Sequence, residues 1–392
     1  MGDASHPLCG SRLWFADRDM SLMIPLAVPD LRGREAELLL QCVRDNWVST
    51  AGPDVKKLED EIAALTGRKH AIAVSTGTAG LHMALVGLGV GPGDRVAVPD
   101  WTFAATANAV CHAGAEPVFI DISPRDWAID PVLLDQALAG DPTIRAVIAV
   151  DPLGHAADLD ALFEVTERHG VALVEDSAAA IGTLYRGKPC GSFGATSVFS
   201  FNGNKTVTAG GGGMVMTDDD EIARIVRHVS TTARLDGQYL HDRVGYNHRM
   251  TNVNAAIGRA QLERLDEMVA AKRAIAARYD AALEKRNDMR AMPRPDHSWS
   301  TAWLYSIELE TADAAEELVK RMELNGIQAR VFWRSLSAQA AWAGAPSLLN
   351  GTSRSLSGTV VSLPCSSSLT SEQQDRVLDV LSEWPAKLAG VA

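Results

Sequence analysis

Arg145-Ala146-Val147-Ile148-Ala149-Val150 and, after a helical stretch from Leu159 to His169, Val171-Ala172-Leu173-Val174-Glu175-Asp176 form the segment on which the fold turns. Ala146 to Val150 and Val171 to Val174 are continuously apolar instead of alternating, as strands covered on two faces are. With a helix between them the unit reads strand, helix, strand, which makes the two strands parallel. The same texture recurs outward at Ala71 to Ser75, Arg95 to Pro99, Pro117 to Asp121, Ser197 to Phe201 and Gly213 to Thr217. Helical stretches lie at Thr78 to Leu88 and Pro131 to Ala139. The expectation is an α/β fold with a mostly parallel seven-stranded sheet. Ligands of such sheets lie outside the carboxyl ends of the strands, so chemistry belongs just after each strand.

After residue 254 the pattern becomes one long helical stretch, with Leu265, Met268, Ile275, Tyr279 and Ala282 at helical spacings. Beyond Pro293-Arg294-Pro295 come a strand (Trp303 to Leu309), a helix (Ala312 to Asn325), strands near Ile327 to Trp333 and Val360 to Leu363, and a last helix. That helix opens with a capping box, Thr370 or Ser371 with Gln373 or Gln374. The division expected is an N-terminal extension at 1–22, a large domain at 23–262 and a smaller α+β C-terminal domain at 263–392.

The chain has 392 residues, 46% hydrophobic and 22% charged, within the range of globular proteins. A net charge of -12 opposes a polyanion-binding surface, so nucleic acid is not an expected partner. No apolar run approaches the roughly 18 residues of a membrane span, and the first twenty residues lack the apolar stretch of a signal peptide. The five cysteines, Cys9, Cys42, Cys111, Cys190 and Cys365, are scattered without a Cys-x-x-Cys pair. They read as free thiols of a cytoplasmic protein, with no disulfide frame and no metal site.

Three segments follow strand ends and carry chemistry. Ser75-Thr76-Gly77-Thr78-Ala79-Gly80 is either a plain strand-to-helix turn or an anion cradle built from free amides and a hydroxyl. Glu175-Asp176 either caps the next segment or faces a ligand. Phe199-Ser200-Phe201-Asn202-Gly203-Asn204-Lys205 ends in a lysine that is either a solvated charge or an imine-forming amine, which needs a partly desolvated setting. Gly210-Gly211-Gly212-Gly213 lacks the spacing of a dinucleotide fingerprint.

In chain order these three match the needs of pyridoxal 5'-phosphate (PLP): a phosphate cradle, an acid for the pyridine nitrogen and a lysine for the imine. On these residues the sequence resembles the DegT/DnrJ/EryC1/StrS sugar aminotransferases over about residues 24 to 390, which implies a fold-type-I, aspartate-aminotransferase-like architecture. The resemblance implies Lys205 as imine and proton-transfer lysine and Asp176 as partner of the pyridine nitrogen. It further implies Gly77, Thr78, Ala79 and Ser200 around the phosphate and Phe103, in Trp101-Thr102-Phe103, stacked on the ring, with Trp101 as wall.

Gly245-Tyr246-Asn247-His248-Arg249-Met250-Thr251-Asn252 is similar to the family segment that crosses a dimer, so Arg249 is expected at the partner's cofactor phosphate and the protein is expected to be a homodimer with shared sites. Asp45 to Pro53 looks closest to members acting on nucleotide-linked 4-keto-6-deoxy sugars of the bacillosamine, legionaminic acid or perosamine type. Ser49 and Thr50 then line either the sugar pocket or a helix-ending loop.

Two departures stand out. Ala179 occupies the place where relatives often carry His, Gln or Glu, and Arg330 to Ser337 replaces a stretch that in relatives lies near the sugar. The function implied is transfer of an amino group from glutamate to the 4-keto carbon. The alternatives are a PLP-dependent sugar dehydratase, which carries His in place of the lysine, and a non-catalytic sensor.

Overall fold

The computed structural model describes residues 23–235 and 238–384; the expected extension at 1–22 lies outside them. The central strands are β1 (His70–Val74), β2 (Arg95–Pro99), β3 (Glu116–Ile120), β4 (Ile144–Val150), β5 (Ala172–Asp176), β6 (Thr196–Ser200) and β7 (Gly213–Thr217). Their order is β1-β7-β6-β5-β4-β2-β3, and an eighth strand, Ser347–Leu348, lies outside β3. All neighbours are parallel except β7, which runs against both β1 and β6. The eighth strand corrects the expected count of seven. Two residues are too short to show a period, and Ser347 and Leu348 are recruited only by pairing with Phe119 and Ile120.

The helices around this sheet are α1 (Glu35–Arg44), α2 (Pro53–Thr66), α3 (Gly77–Gly87), α4 (Ala105–His112), α5 (Pro131–Gly140), α6 (Leu159–His169), α7 (Asp220–Ser230), α8 (Asn252–Leu262) and α9 (Leu265–Leu283). Local chemistry sets their ends. Asp158 caps α6 by accepting from Ala161 N–H, and Gly170, at φ 63°, ends it in the left-handed region. The single long helix expected after residue 254 is two helices. Arg264, at φ -114° and ψ 11°, leaves helical geometry, and its guanidinium is drawn to Asp30 and Glu267.

The C-terminal sheet is antiparallel and four-stranded, in the order Met289–Ala291, Tyr305–Leu309, Val360–Leu363, Arg330–Val331. The last helix, Ser371–Ser382, carries its capping box on Thr370 and Gln373. The two sheets are tightly joined. Trp101, Trp127 and Leu153 pack into the apolar core beneath the C-terminal sheet, while Leu336 and Trp342 pack against the large one. Two buried carboxylates fasten the same junction. Asp100 accepts from Ser337 N–H (2.7 Å) and the Ser335 hydroxyl, and Asp121 accepts from the amides of Asn350 (2.9 Å), Gly351 (2.7 Å) and Ser353 (2.7 Å).

Among the described residues no helix is long and apolar enough to cross a membrane.

Candidate active site

The antiparallel β7 determines where chemistry gathers. Its first residue, Gly213, pairs with Val74 at the end of β1 and with Ser200 at the end of β6, while Asp176 ends β5 alongside β6. The three segments singled out in the sequence therefore leave the sheet at one edge.

At the α3 end, Thr76 caps the helix by accepting from Ala79 N–H at 3.0 Å, leaving the first helical amides aimed outward. Gly77 is required by the close approach of β6: a Cβ there would lie 2.8 Å from Ser200 Cβ and 3.0 Å from its Oγ. Gly213 is equally confined, its notional Cβ lying 2.7 Å from the Thr76 carbonyl oxygen. Among the described residues the hydroxyls of Thr78 and Ser200 make no hydrogen bond, which leaves them, with the first amides of α3, available to an anion.

Period-two alternation along β5 separates Glu175 from Asp176. Glu175 turns inward, and its carboxylate accepts from Gly191 and Phe193 N–H, both at 2.9 Å. Near it, ligand atoms of Asp151 and Cys190 fall within 4.8 Å of the Glu175 carboxylate and of one another. The Asp151 oxygens accept from Ala157 N–H (3.0 Å) and the Ser177 hydroxyl (2.7 Å), so hydrogen bonds within the protein tie this buried cluster together. The Ser177 hydroxyl thus points to Asp151 and does not replace the polar side chain missing at Ala179.

Asp176 faces the edge. Its Oδ2 accepts the Thr106 hydroxyl at 3.0 Å and its Oδ1 accepts Ala178 N–H at 3.2 Å. Each oxygen keeps a lone pair for a further donor. Burial pushes the carboxyl above its ordinary value, while Thr106, Ala178 and the charge of Lys205 work to keep it ionised.

Lys205 follows β6 in a turn closed by its own N–H to the Asn202 carbonyl at 3.0 Å. Its Nζ makes no hydrogen bond among the described residues and lies 3.7 Å from the centre of the Trp303 ring. Burial lowers its pKa to about 8, with Asp176 pulling the other way. A desolvated amine beside an acid is a ready nucleophile.

Phe103 is 62% exposed and lies one helical turn before Thr106, so its ring belongs to the segment that serves Asp176. Trp101 is buried, edge-on to Trp127 and to Trp333, and donates its indole N–H to the Trp333 carbonyl at 3.1 Å. Arg249 pairs by its backbone with Val74 at the entry to α3; its half-buried guanidinium has no partner among the described residues.

Ser49 and Thr50 sit on a loop held by Asn252, whose N–H donates to the Ser49 carbonyl at 2.6 Å and whose side chain donates to the Trp47 carbonyl at 3.1 Å. That brings them to the segment of Arg249 and α8, with no contact to Lys205 or Asp176 among the described residues. His155 is fully buried, with its Nε2 against the Asp126 carbonyl.

Two residues at the site went unread in the sequence. Thr106 stands three residues after Phe103, in the first turn of α4, so its closeness to Phe103 was a signal. Trp303 arrives from 98 positions beyond Lys205 with no local signal at all.

A carboxylate with spare acceptor capacity, a desolvated amine and a helix start whose amides and neighbouring hydroxyls lack partners together suit the ring nitrogen, aldehyde and phosphate of PLP. Comparison with known proteins agrees. The profile of the DegT/DnrJ/EryC1/StrS aminotransferase family matches residues 29–382. EpsN of Bacillus subtilis (strain 168), named as a pyridoxal phosphate-dependent aminotransferase, is 36% identical over 371 residues, covering 92% of this chain and 96% of EpsN. GDP-perosamine synthase of Caulobacter vibrioides is 35% identical over 364 residues, covering 92% and 98%. The crystal structure of a DegT DnrJ EryC1 StrS aminotransferase from Brucella abortus superimposes with a TM-score of 0.85 at 31% identity, covering 90% of this chain and 96% of that one.

Proposed function

Since the chain belongs to the DegT/DnrJ/EryC1/StrS aminotransferase family, we propose that it moves an amino group from glutamate to the 4-keto carbon of a nucleotide-linked 6-deoxy sugar. The coarser statement is firm: it is a PLP-dependent sugar aminotransferase acting on nucleotide sugars. The observation that carries the reading is the meeting of Lys205, Asp176 and the Gly77–Ala79 helix start at one sheet edge. Relatives named as GDP-perosamine synthases support the sugar class.

PLP, when bound, supplies an aldehyde that bonds an amine and a ring that takes up electrons from the reacting carbon. Lys205 Nζ would bond that aldehyde and, once released, move the proton between the two carbons that exchange it. Asp176 would accept the ring N–H with its remaining lone pairs, held in line by Thr106 and Ala178. The Gly77, Thr78 and Ala79 amides and the Thr78 and Ser200 hydroxyls would take the phosphate, and Phe103 would cover the ring face. Lys205 speaks against the dehydratase alternative, which carries His there, and Lys205→Ala separates off the sensor, which would keep its biological effect after the change.

The test is incubation of purified protein with glutamate and a panel of nucleotide 4-keto-6-deoxy sugars, read by mass spectrometry. One panel member should gain an amine while glutamate becomes 2-oxoglutarate. Turnover with another donor, or none with any 4-keto sugar, would refute the finer reading.

The shared-site homodimer belongs to the same proposal. It is supported by the exposed apolar residues Leu39, Leu40 and Val43 of α1, by Trp47 and Val48 beyond it, and by Tyr239 and Val244 in the segment leading to Arg249. Arg249→Ala should weaken cofactor binding about 10- to 100-fold, the scale of one lost charge-assisted contact. Co-expressing Arg249→Ala with Lys205→Ala chains should restore about a quarter of wild-type activity at limiting cofactor, because half the dimers are mixed and each mixed dimer keeps one intact site. Mixed dimers without recovery would place Arg249 in its own chain's site.

A further inference from the structure

The Lys205 amine lies over the ring of Trp303, and that residue is itself fastened on three sides. Trp303 is 4% exposed, lies under the amine, and donates its indole N–H to the carbonyl of Asn204 at 2.7 Å. Its backbone carbonyl accepts from the ammonium of buried Lys272 at 3.1 Å, and Lys272 also donates to the Cys365 carbonyl at 2.7 Å.

Upstream, the Gly154 carbonyl gathers the Ser300 hydroxyl (2.7 Å), Thr301 N–H (3.0 Å) and the Thr183 hydroxyl (2.7 Å). A Cβ at Gly154, whose φ is +99°, would lie 2.4 Å from Trp303 N, so the loop after β4 is pressed against the tryptophan backbone. Between these ties Ala302 is held at φ 49°, a strained left-handed conformation for a residue with a side chain. Strain kept by surrounding bonds, immediately before the one ring that touches Lys205, indicates that the ring's placement matters.

We propose that Trp303 is the positioning residue for Lys205: its ring face holds the amine in place, and its indole N–H fixes the turn that carries the lysine. The inference rests on the reading of Lys205 as the cofactor-bonding amine. A π face attracts an ammonium without taking a directed hydrogen bond from it or donating one to it. Lys205 therefore keeps its nitrogen free to form a bond or shuttle a proton, which a carboxylate in the same place would hinder by fixing a salt bridge. Asp176 is the one charged group that acts on Lys205 among the described residues, so a change of the face should register directly in the amine.

The test uses the full chain as wild type, Trp303→Phe, which keeps a ring face but loses the indole N–H, and Trp303→Leu, which loses both. In cofactor-free protein, carbamoylation of Lys205 by cyanate is followed against pH by peptide mass mapping. Wild type should label with a midpoint near pH 8. The Leu variant should label with a midpoint about one pH unit lower, because the ammonium loses its attracting face, and Phe with less than half that shift. With cofactor and substrates, kcat should fall about tenfold or more for Leu and less for Phe, while KM stays within about twofold.

Borohydride reduction of each reconstituted protein, followed by peptide mapping, separates the two readings. Pyridoxyl on Lys205 in every variant together with an unmoved or upward-moving midpoint would overturn the role of Trp303 and leave that of Lys205 intact. Absence of pyridoxyl from Lys205 in wild type would overturn both. If the Leu variant does not fold, the Phe shift and its kcat loss decide the matter.

Discussion

Lys205→Ala is expected to lower kcat by about 10³-fold or more, since it removes both the covalent attachment point and the group that carries the proton, a role worth roughly 10²- to 10⁴-fold alone. The fold should survive. Nζ makes no hydrogen bond among the described residues, and the cost of desolvating the amine outweighs the attraction it gains from Asp176, so alanine gives up little stability. Unfolding midpoints equal to or above wild type, with activity at background, are therefore the expected pair of results. Activity within tenfold of wild type would remove Lys205 from the chemistry.

Asp176→Asn is expected to cost about 10²- to 10³-fold in kcat, the scale of removing a preorganised charge from a low-dielectric site. The amide matches the carboxylate in shape, its oxygen can still accept Ala178 N–H, and its NH2 can donate to the Thr106 hydroxyl oxygen. The loss would thus come from charge and not from a disturbed loop. Steady-state kinetics with the accepted nucleotide sugar should show the loss in kcat with little change in KM for the sugar. An accompanying Thr106→Val change should add little to Asp176→Asn but cost activity on its own, because the hydroxyl acts through the carboxylate. Equal activity of Asp176→Asn and wild type would show that the ring nitrogen needs no anionic partner here.

The parts of this site that the sequence shows are those governed by local rules. An apolar strand that ends in Glu175-Asp176, and a strand that runs through Ser200 into Lys205, announce themselves because parallel strands place their following residues at the ligand-binding edge. Strand alternation then explains why Asp176 faces the edge and Glu175 faces the amides of Gly191 and Phe193. The capped start of α3 is equally local, resting on Thr76 and the small residues after it.

What stayed hidden depends on distant partners. Trp303 reaches Lys205 only because Gly154, Lys272 and Thr183 hold its segment from three directions. The break between α8 and α9 follows from the attraction of Arg264 to Asp30, some 230 residues away. Ser347–Leu348 becomes a strand only because β3 offers an open edge. The loop carrying Ser49 and Thr50 is likewise placed by Asn252, whose side chain and N–H hold it beside the entry to α8.

The most direct measurement is reduction of the reconstituted wild-type protein with borohydride, then mapping of the fixed pyridoxyl group to a peptide. The account predicts one modified lysine, Lys205. Modification at Lys272, a buried lysine whose pKa is also lowered by burial, or stoichiometric cofactor binding with no lysine modified, would contradict it.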